Sequence, residues 1–341
     1  MYIYRFYNDY SEGAHPRLLE LLASTNDQQE DGYGNDALSQ QAAALLQQAL
    51  AQPAAAVHFV SGGTQANLVV LAALLKPYES VIAAQTAHIN VHEAGAIEAT
   101  GHKIHGVATP DGKLTPAMIQ AVVTQHTDEH MVKPRVVFIS HATELGTVYS
   151  KRELEALAQV CRANGLYLHL DGARLGPALV SAATDVALPD LARLVDVLCI
   201  GGTKNGALFG EAIAITTPAL QENFRYHMKQ HGALLAKGRV LGAQFVGLFR
   251  DELYLVLARH ANAMAARLAD GLRQQGVRFL VPVMTNQLFP ILPTTLIRTL
   301  QEHYGFYVWS PVDAAHAAIR LVTSWATPEA SVDAFLRAVH P

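Results

Sequence analysis

Residues 167–175 read YLHLDGARL, and residues 195–206 read VDVLCIGGTKNG. Each opens as a short apolar run and closes on glycine beside an ionisable side chain, the form of a buried strand whose exit carries chemistry. Working outward, similar runs recur at Val57–Val60, Val81–Ala84, His102–Val107, Val136–Ile139 and Glu211–Ile215, and helical-period stretches separate most of them. The clearest helix is Lys151–Asn164, where Leu154, Leu157, Ala158 and Cys161 form one stripe and Gly165 supplies a left-handed stop. Strands alternating with crossover helices predict an α/β fold on a mostly parallel, seven-stranded sheet.

After Ile215 the pattern changes. Residues 218–275 read as almost entirely helical, and a small αβ unit follows with strands near Val277–Val281, Asn286–Phe289, Tyr307–Trp309 and Ala318–Thr323. We expect an N-terminal arm over residues 1–15, a large domain over 16–245 and a smaller C-terminal α/β domain over 246–341. The first 30 residues show no convincing element and are expected on the surface or against a partner.

Ligands of such sheets bind at the carboxyl ends of the strands, so the exits carry the functional reading. After Val60 comes Ser61-Gly62-Gly63-Thr64-Gln65, opening a helix. Its glycines, hydroxyl and unpaired first amides make a phosphate cradle, without the Walker lysine or the GxGxxG pattern. After Leu170 comes Asp171, a carboxylate at the end of a buried strand that needs a partner, with Arg174 three residues on. After Ile200 comes Lys204, one of only eight lysines, framed by glycines. That setting suits an amine of lowered pKa for Schiff-base chemistry. After Ala84 come His88, His92 and Glu93. The two histidines invite a zinc reading, but their order is not HExxH and Asn90 and Gly95 disfavour a regular helix, so no metal is expected. A single cofactor, pyridoxal phosphate, accounts for all four exits. Its phosphate needs a helix N-terminus, its aldehyde a lysine, its pyridine nitrogen a carboxylate and its ring a flat neighbour.

The motifs "NDYSEGAHP", "EDGYGND", "FVSGGTQAN", "AHINVHEAGA", "HLDGARL", "GGTKNG" and "IRLVTSW" run through most of the chain. Together they resemble the threonine aldolase family, a fold type I branch of pyridoxal-phosphate enzymes close to the β-eliminating lyases. The strongest pair, "DGARL" and "GGTKNG", places Asp171 and Lys204 33 residues apart. The resemblance implies that Lys204 carries the cofactor, Asp171 pairs with its pyridine nitrogen, His88 stacks on its ring, and Gly62, Gly63 and Thr64 hold its phosphate. It also places Ser11, Arg174 and Arg320 at the substrate carboxylate, Arg174 beside the cofactor as well, and Tyr33 near an active site shared between subunits. His88, His92, His141 and bound water are the candidate bases, with His88 favoured by its nearness to the ring. The chain departs from the family pattern at Ser140–Glu144, where many members read "THN" and Thr143 falls at the histidine position, and at Ser324, where relatives often carry histidine.

The implied activity is cleavage of a β-hydroxy-α-amino acid, of the threonine, allo-threonine or phenylserine type, to glycine and an aldehyde. The alternatives are a pyridoxal-phosphate β-eliminating lyase or an aminotransferase acting on a small amino acid. A metal-dependent hydrolase built on His88, His92 and Glu93, and a non-catalytic protein on an enzyme fold, fit the residues less well.

Composition narrows the setting. The formal net charge is −4 and no Lys/Arg cluster appears, so no nucleic-acid partner is expected. The longest uninterrupted apolar run, Leu68–Leu75, is far short of the roughly 18 residues that suggest a membrane span. The opening MYIYRFYNDYSEG lacks a secretory pattern, and Cys161 and Cys199 lie in apolar segments, so a cytoplasmic protein with buried free thiols is expected. Only 16% of residues are charged, against about 25% in an ordinary soluble domain. Burial between copies is the simplest substitute for surface charge, and a homodimer or homotetramer with shared active sites is expected. Light scattering at micromolar concentration should therefore give at least twice the 36.8 kDa chain mass; a monomer would remove this expectation.

Overall fold

The computed structural model describes residues 4–339, so three residues of the expected arm and two of the expected C-terminal domain lie outside the described residues. Seven strands form the large sheet: β1 (Ala56–Val60), β2 (Glu79–Ala84), β3 (Lys103–Val107), β4 (Lys133–Ser140), β5 (Tyr167–Asp171), β6 (Val197–Gly201) and β7 (Glu211–Ile215). Their order is β1-β7-β6-β5-β4-β2-β3. The pairs β2–β3, β2–β4, β4–β5 and β5–β6 are parallel, whereas β7 runs antiparallel to both β6 and β1. β2, β6 and β7 are buried along their whole length, as expected of strands covered by helices on both faces.

Local signals explain the connecting helices. Helix Lys151–Ala163 starts at a capping box in which Ser150 and Glu153 satisfy each other's backbone amides, buries the predicted stripe and ends before Gly165 at φ 63°. Val195 and Asp196, read above as strand, instead form the turn into β6. Val195 caps the preceding helix Leu188–Leu194, and the Asp196 carboxylate accepts the Leu168 amide at 2.8 Å.

The second sheet is antiparallel and joins Gln287–Leu288, His316–Val322, Pro290–Pro293, Arg278–Phe279 and Tyr307–Pro311. Pro290–Pro293 has no counterpart in the sequence reading because its two prolines argue against a strand interior. Helix Leu253–Gln274 serves two apolar cores. Leu253, Tyr254 and Leu257 pack with the large sheet, and Met264, Ala265, Leu268, Ala269 and Leu272 pack with the small one.

The first 30 residues are more ordered than the sequence suggested. Tyr4–Arg5 pairs in parallel with Tyr304–Gly305, and Phe6 is buried in the core of the small sheet. Helix Pro16–Ser24 follows, starting with proline in its first turn and burying Leu18. Short pieces of this kind carry too little local pattern to be read without their packing partners.

Candidate active site

The exits of the parallel strands converge as expected, and glycine makes the convergence possible. A Cβ on Gly172 would lie 2.1 Å from the Cys199 carbonyl oxygen, and one on Gly201 would lie 2.5 Å from that of Ala173. Only backbones without side chains can approach so closely. Thus Asp171 on β5 and Lys204, in the short turn Thr203–Asn205 after β6, share one end of the sheet.

Asp171 is buried, and its charge is met by donors. Its Oδ1 accepts the Ala173 amide at 2.9 Å, and its Oδ2 accepts Asn67 Nδ2 at 3.0 Å. Asn67 lies one turn into helix Gly63–Leu74, gives its amide also to Glu93 Oε1 at 2.8 Å, and sets its Oδ1 3.3 Å from His169 Nε2. Glu93 in turn accepts from His88 Nδ1 at 2.8 Å. A carboxylate acceptor fixes that nitrogen as the protonated one and leaves Nε2 with its lone pair. The His88 backbone amide donates to Glu144 Oε1 at 2.9 Å, which also accepts Ser140 Oγ at 2.7 Å. Burial pushes the Glu144 carboxyl above its ordinary value.

On the other side of Lys204 lies a buried ion pair. Arg174 turns Nε and one terminal nitrogen into Asp9 at 2.8 and 3.0 Å, a bidentate pairing, and Asn286 Nδ2 adds a third donor to Asp9 at 2.9 Å. Burial would raise the Asp9 carboxyl, but the charges of Arg174 and Lys204 outweigh it and hold the group below its ordinary value. Burial, followed by the charge of Arg174, pulls the Lys204 amine down against the opposing pull of Asp9, Asp171 and Glu211. Glu211 is the first residue of β7 and lies opposite Gly201 and Val60; burial pushes its carboxyl up, opposed by Lys204. Arg320 donates to Gln287 Oε1 at 2.7 Å, and its Nε is buried with no hydrogen-bond partner. Burial and then Arg174 lower its pKa to about 10.

The residues singled out from sequence do not all meet. Lys204, Asp171, His88, Arg174 and Arg320 belong to one connected region, and His92 joins it, its ring centroid 5.6 Å from that of His88. Burial, then the charges of His88, Arg320, Lys204 and Arg174, lower the pKa of His92. Ser11 is exposed and donates to Asn8 Oδ1 at 3.0 Å. His141 is fully buried and turned toward Tyr149, whose amide donates to its Nδ1 at 3.3 Å; burial lowers its pKa to about 4. Tyr33 packs against Lys229, whose Nζ is 4.5 Å from its ring centroid, and its carbonyl accepts Arg225. Thr143 bonds Thr147, and Ser324 bonds Thr327.

Comparison with known proteins decides the lineage. The chain matches the family model for beta-eliminating lyases over residues 17–294. It belongs to that family. It is 38% identical to the low specificity L-threonine aldolase of Pseudomonas aeruginosa, over 95% of this chain and 93% of that one. The structure of a Leishmania major threonine aldolase superposes with a TM-score of 0.97 at 48% identity, covering 98% of both chains. Thermus thermophilus aspartate aminotransferase, at 16% identity and a TM-score of 0.74 over 99% of this chain and 90% of its own, shares the fold type I architecture.

The cofactor of this lyase-family chain is pyridoxal phosphate, and the residues fit it. A Cβ on Gly62 or Gly63 would meet nothing within 4 Å, so the start of helix Gly63–Leu74 faces open space where its first amides are unpaired. Thr64 is exposed on the same turn. With Asp171 and Lys204 on adjacent strand exits, the site offers a phosphate seat, a buried carboxylate and an amine on one side of the sheet.

Asn67 was not singled out from sequence, yet it holds the two carboxylates Asp171 and Glu93 together. Asn67→Ala should remove a donor from both and weaken retention of pyridoxal phosphate about tenfold or more, given roughly 1.5–3 kcal/mol for hydrogen bonds to charged groups. Cofactor release followed by absorbance would show it; unchanged retention would contradict the role.

Proposed function

We propose that the chain is a pyridoxal-phosphate-dependent aldolase that cleaves β-hydroxy-α-amino acids of the threonine, allo-threonine or phenylserine type to glycine and an aldehyde. The observation that carries this reading is the His88–Glu93–Asn67–Asp171 chain of hydrogen bonds beside Lys204, in a chain 38% and 48% identical to two threonine aldolases. When bound, pyridoxal phosphate supplies the electron sink that takes up the pair released at Cα.

The protein's own side chains supply the rest. Lys204, its amine pulled down by burial and Arg174, would hold the cofactor through its aldehyde carbon, with loss of water. Asp171, fixed by Asn67 and the Ala173 amide, would pair with the ring nitrogen and keep it protonated. Arg320 is the cation for the substrate carboxylate, whereas the fork of Arg174 is engaged by Asp9 and orients from beside it. Gln287 fixes Arg320 and is itself tied to the Thr143 carbonyl at 3.1 Å. Holding the carboxylate there selects which Cα bond is aligned for cleavage. His88, with Nδ1–H given to Glu93, presents Nε2 to take the β-hydroxyl proton as the carbon–carbon bond breaks and the aldehyde carbonyl forms. This arrangement favours His88 over His141, whose ring is enclosed beside Tyr149.

Two outcomes test the reading. The holoenzyme incubated with threonine or phenylserine should release equimolar glycine and aldehyde, and Lys204→Ala should abolish it; pyruvate and ammonia from serine as the main products would instead support β-elimination. Arg320→Ala should raise KM at least tenfold, since a charge-assisted carboxylate contact is removed. Wild-type kinetics in that variant would move the carboxylate site elsewhere.

A further inference from the structure

Tyr10 is a large ring in an unusual position. It is 55% exposed, yet its centroid lies 6.0 Å from Nζ of the half-buried Lys204. Its backbone is not free to carry it away. The Tyr10 amide donates to Asn8 Oδ1 at 2.9 Å, and the preceding Asp9 is 1% exposed and held by Arg174 and Asn286. The phenol also lies within electrostatic reach of Arg320. A tyrosine that only pinned the N-terminal segment would be buried, as Phe6 is four residues earlier.

An amino acid whose carboxylate meets Arg320 and whose amino group is delivered at Lys204 must span the space that the Tyr10 ring borders. We propose that Tyr10 is a specificity-determining residue, an aromatic wall for the substrate's β-substituent that favours aryl over methyl side chains. The inference rests on the aldolase reading above for its choice of substrates. Its physical basis does not depend on that reading, because an exposed aromatic face gains from being covered by another ring, by about 0.5–1.5 kcal/mol beyond area burial. The phenolic hydroxyl is not required for this role; the ring is.

The test compares wild-type, Tyr10→Phe and Tyr10→Ala holoenzymes. We expect Tyr10→Ala to lower the ratio of kcat/KM for phenylserine to that for threonine by about 2- to 12-fold, the same energy expressed as a rate ratio, and Tyr10→Phe to keep the ratio. The same order should appear in the dissociation constants of phenylalanine relative to alanine, read from the change in cofactor absorbance without turnover. A Tyr10→Ala variant that keeps both ratios at wild-type values overturns the proposal. Wild-type enzyme that releases no aldehyde overturns the aldolase reading instead, and the phenylalanine-to-alanine ratio then decides for or against Tyr10 alone.

Discussion

The ion pair between Asp9 and Arg174 is the constraint on which the rest of the site depends. A carboxylate and a guanidinium removed from water are tolerated only when paired with good geometry and further hydrogen bonds, and breaking one partner leaves an uncompensated buried charge. Asp9 meets that demand with a bidentate arginine and the Asn286 amide. The acceptor and its two donor residues come from three parts of the chain: Asp9 from the N-terminal segment, Arg174 from the exit of β5, and Asn286 from the start of the small sheet, where it also donates to the Thr323 carbonyl at 2.8 Å. One buried charge therefore sets the position of Tyr10, the orientation of Arg174 and the local field at Lys204.

A second network satisfies the opposite side. Asp171, Asn67, Glu93, His88 and Glu144 are linked through hydrogen bonds of 2.8–3.0 Å. Three carboxyl groups so close would repel one another if they shared no donors. The Asn67 amide separates Asp171 from Glu93, and the His88 imidazole and backbone amide separate Glu93 from Glu144. The result assigns the proton on the His88 ring and leaves one nitrogen available. Glu211 adds a buried acid near Lys204, so the amine lies in a balance of Arg174 on one side and Asp9, Asp171 and Glu211 on the other.

Much of this was legible in the chain, but unevenly. The parallel strands were readable because each is a short apolar run, and their exits were readable because a parallel strand always presents its carboxyl end to the ligand. That rule finds Asp171, Lys204, His88 and the Gly62–Thr64 turn. It misses Glu211, because β7 is antiparallel and delivers its first residue, not its last, to the same edge. It misses Asn67, which lies a turn into a helix and looks like an ordinary polar residue there. It brings in His141, which follows β4 at a strand exit but points its ring into the protein beside Tyr149.

Local sequence by itself determined the elements and the chemistry at the strand ends: hydrophobic periodicity, capping residues and glycines act over a few residues and need no distant partner. Tertiary structure alone decided which of those groups meet. Asp9 and Arg174 are 165 residues apart, Asn67 and Asp171 are 104, and Asp9 and Asn286 are 277. Nothing in the residues around Asp9 announces a buried charge, because burial and pairing are properties of the packed chain. The sequence names the lysine and the carboxylate; packing gives them their neighbours, burial and Arg174 lower the proton affinity of the lysine, and Asn67 and the Ala173 amide hold the carboxylate in place.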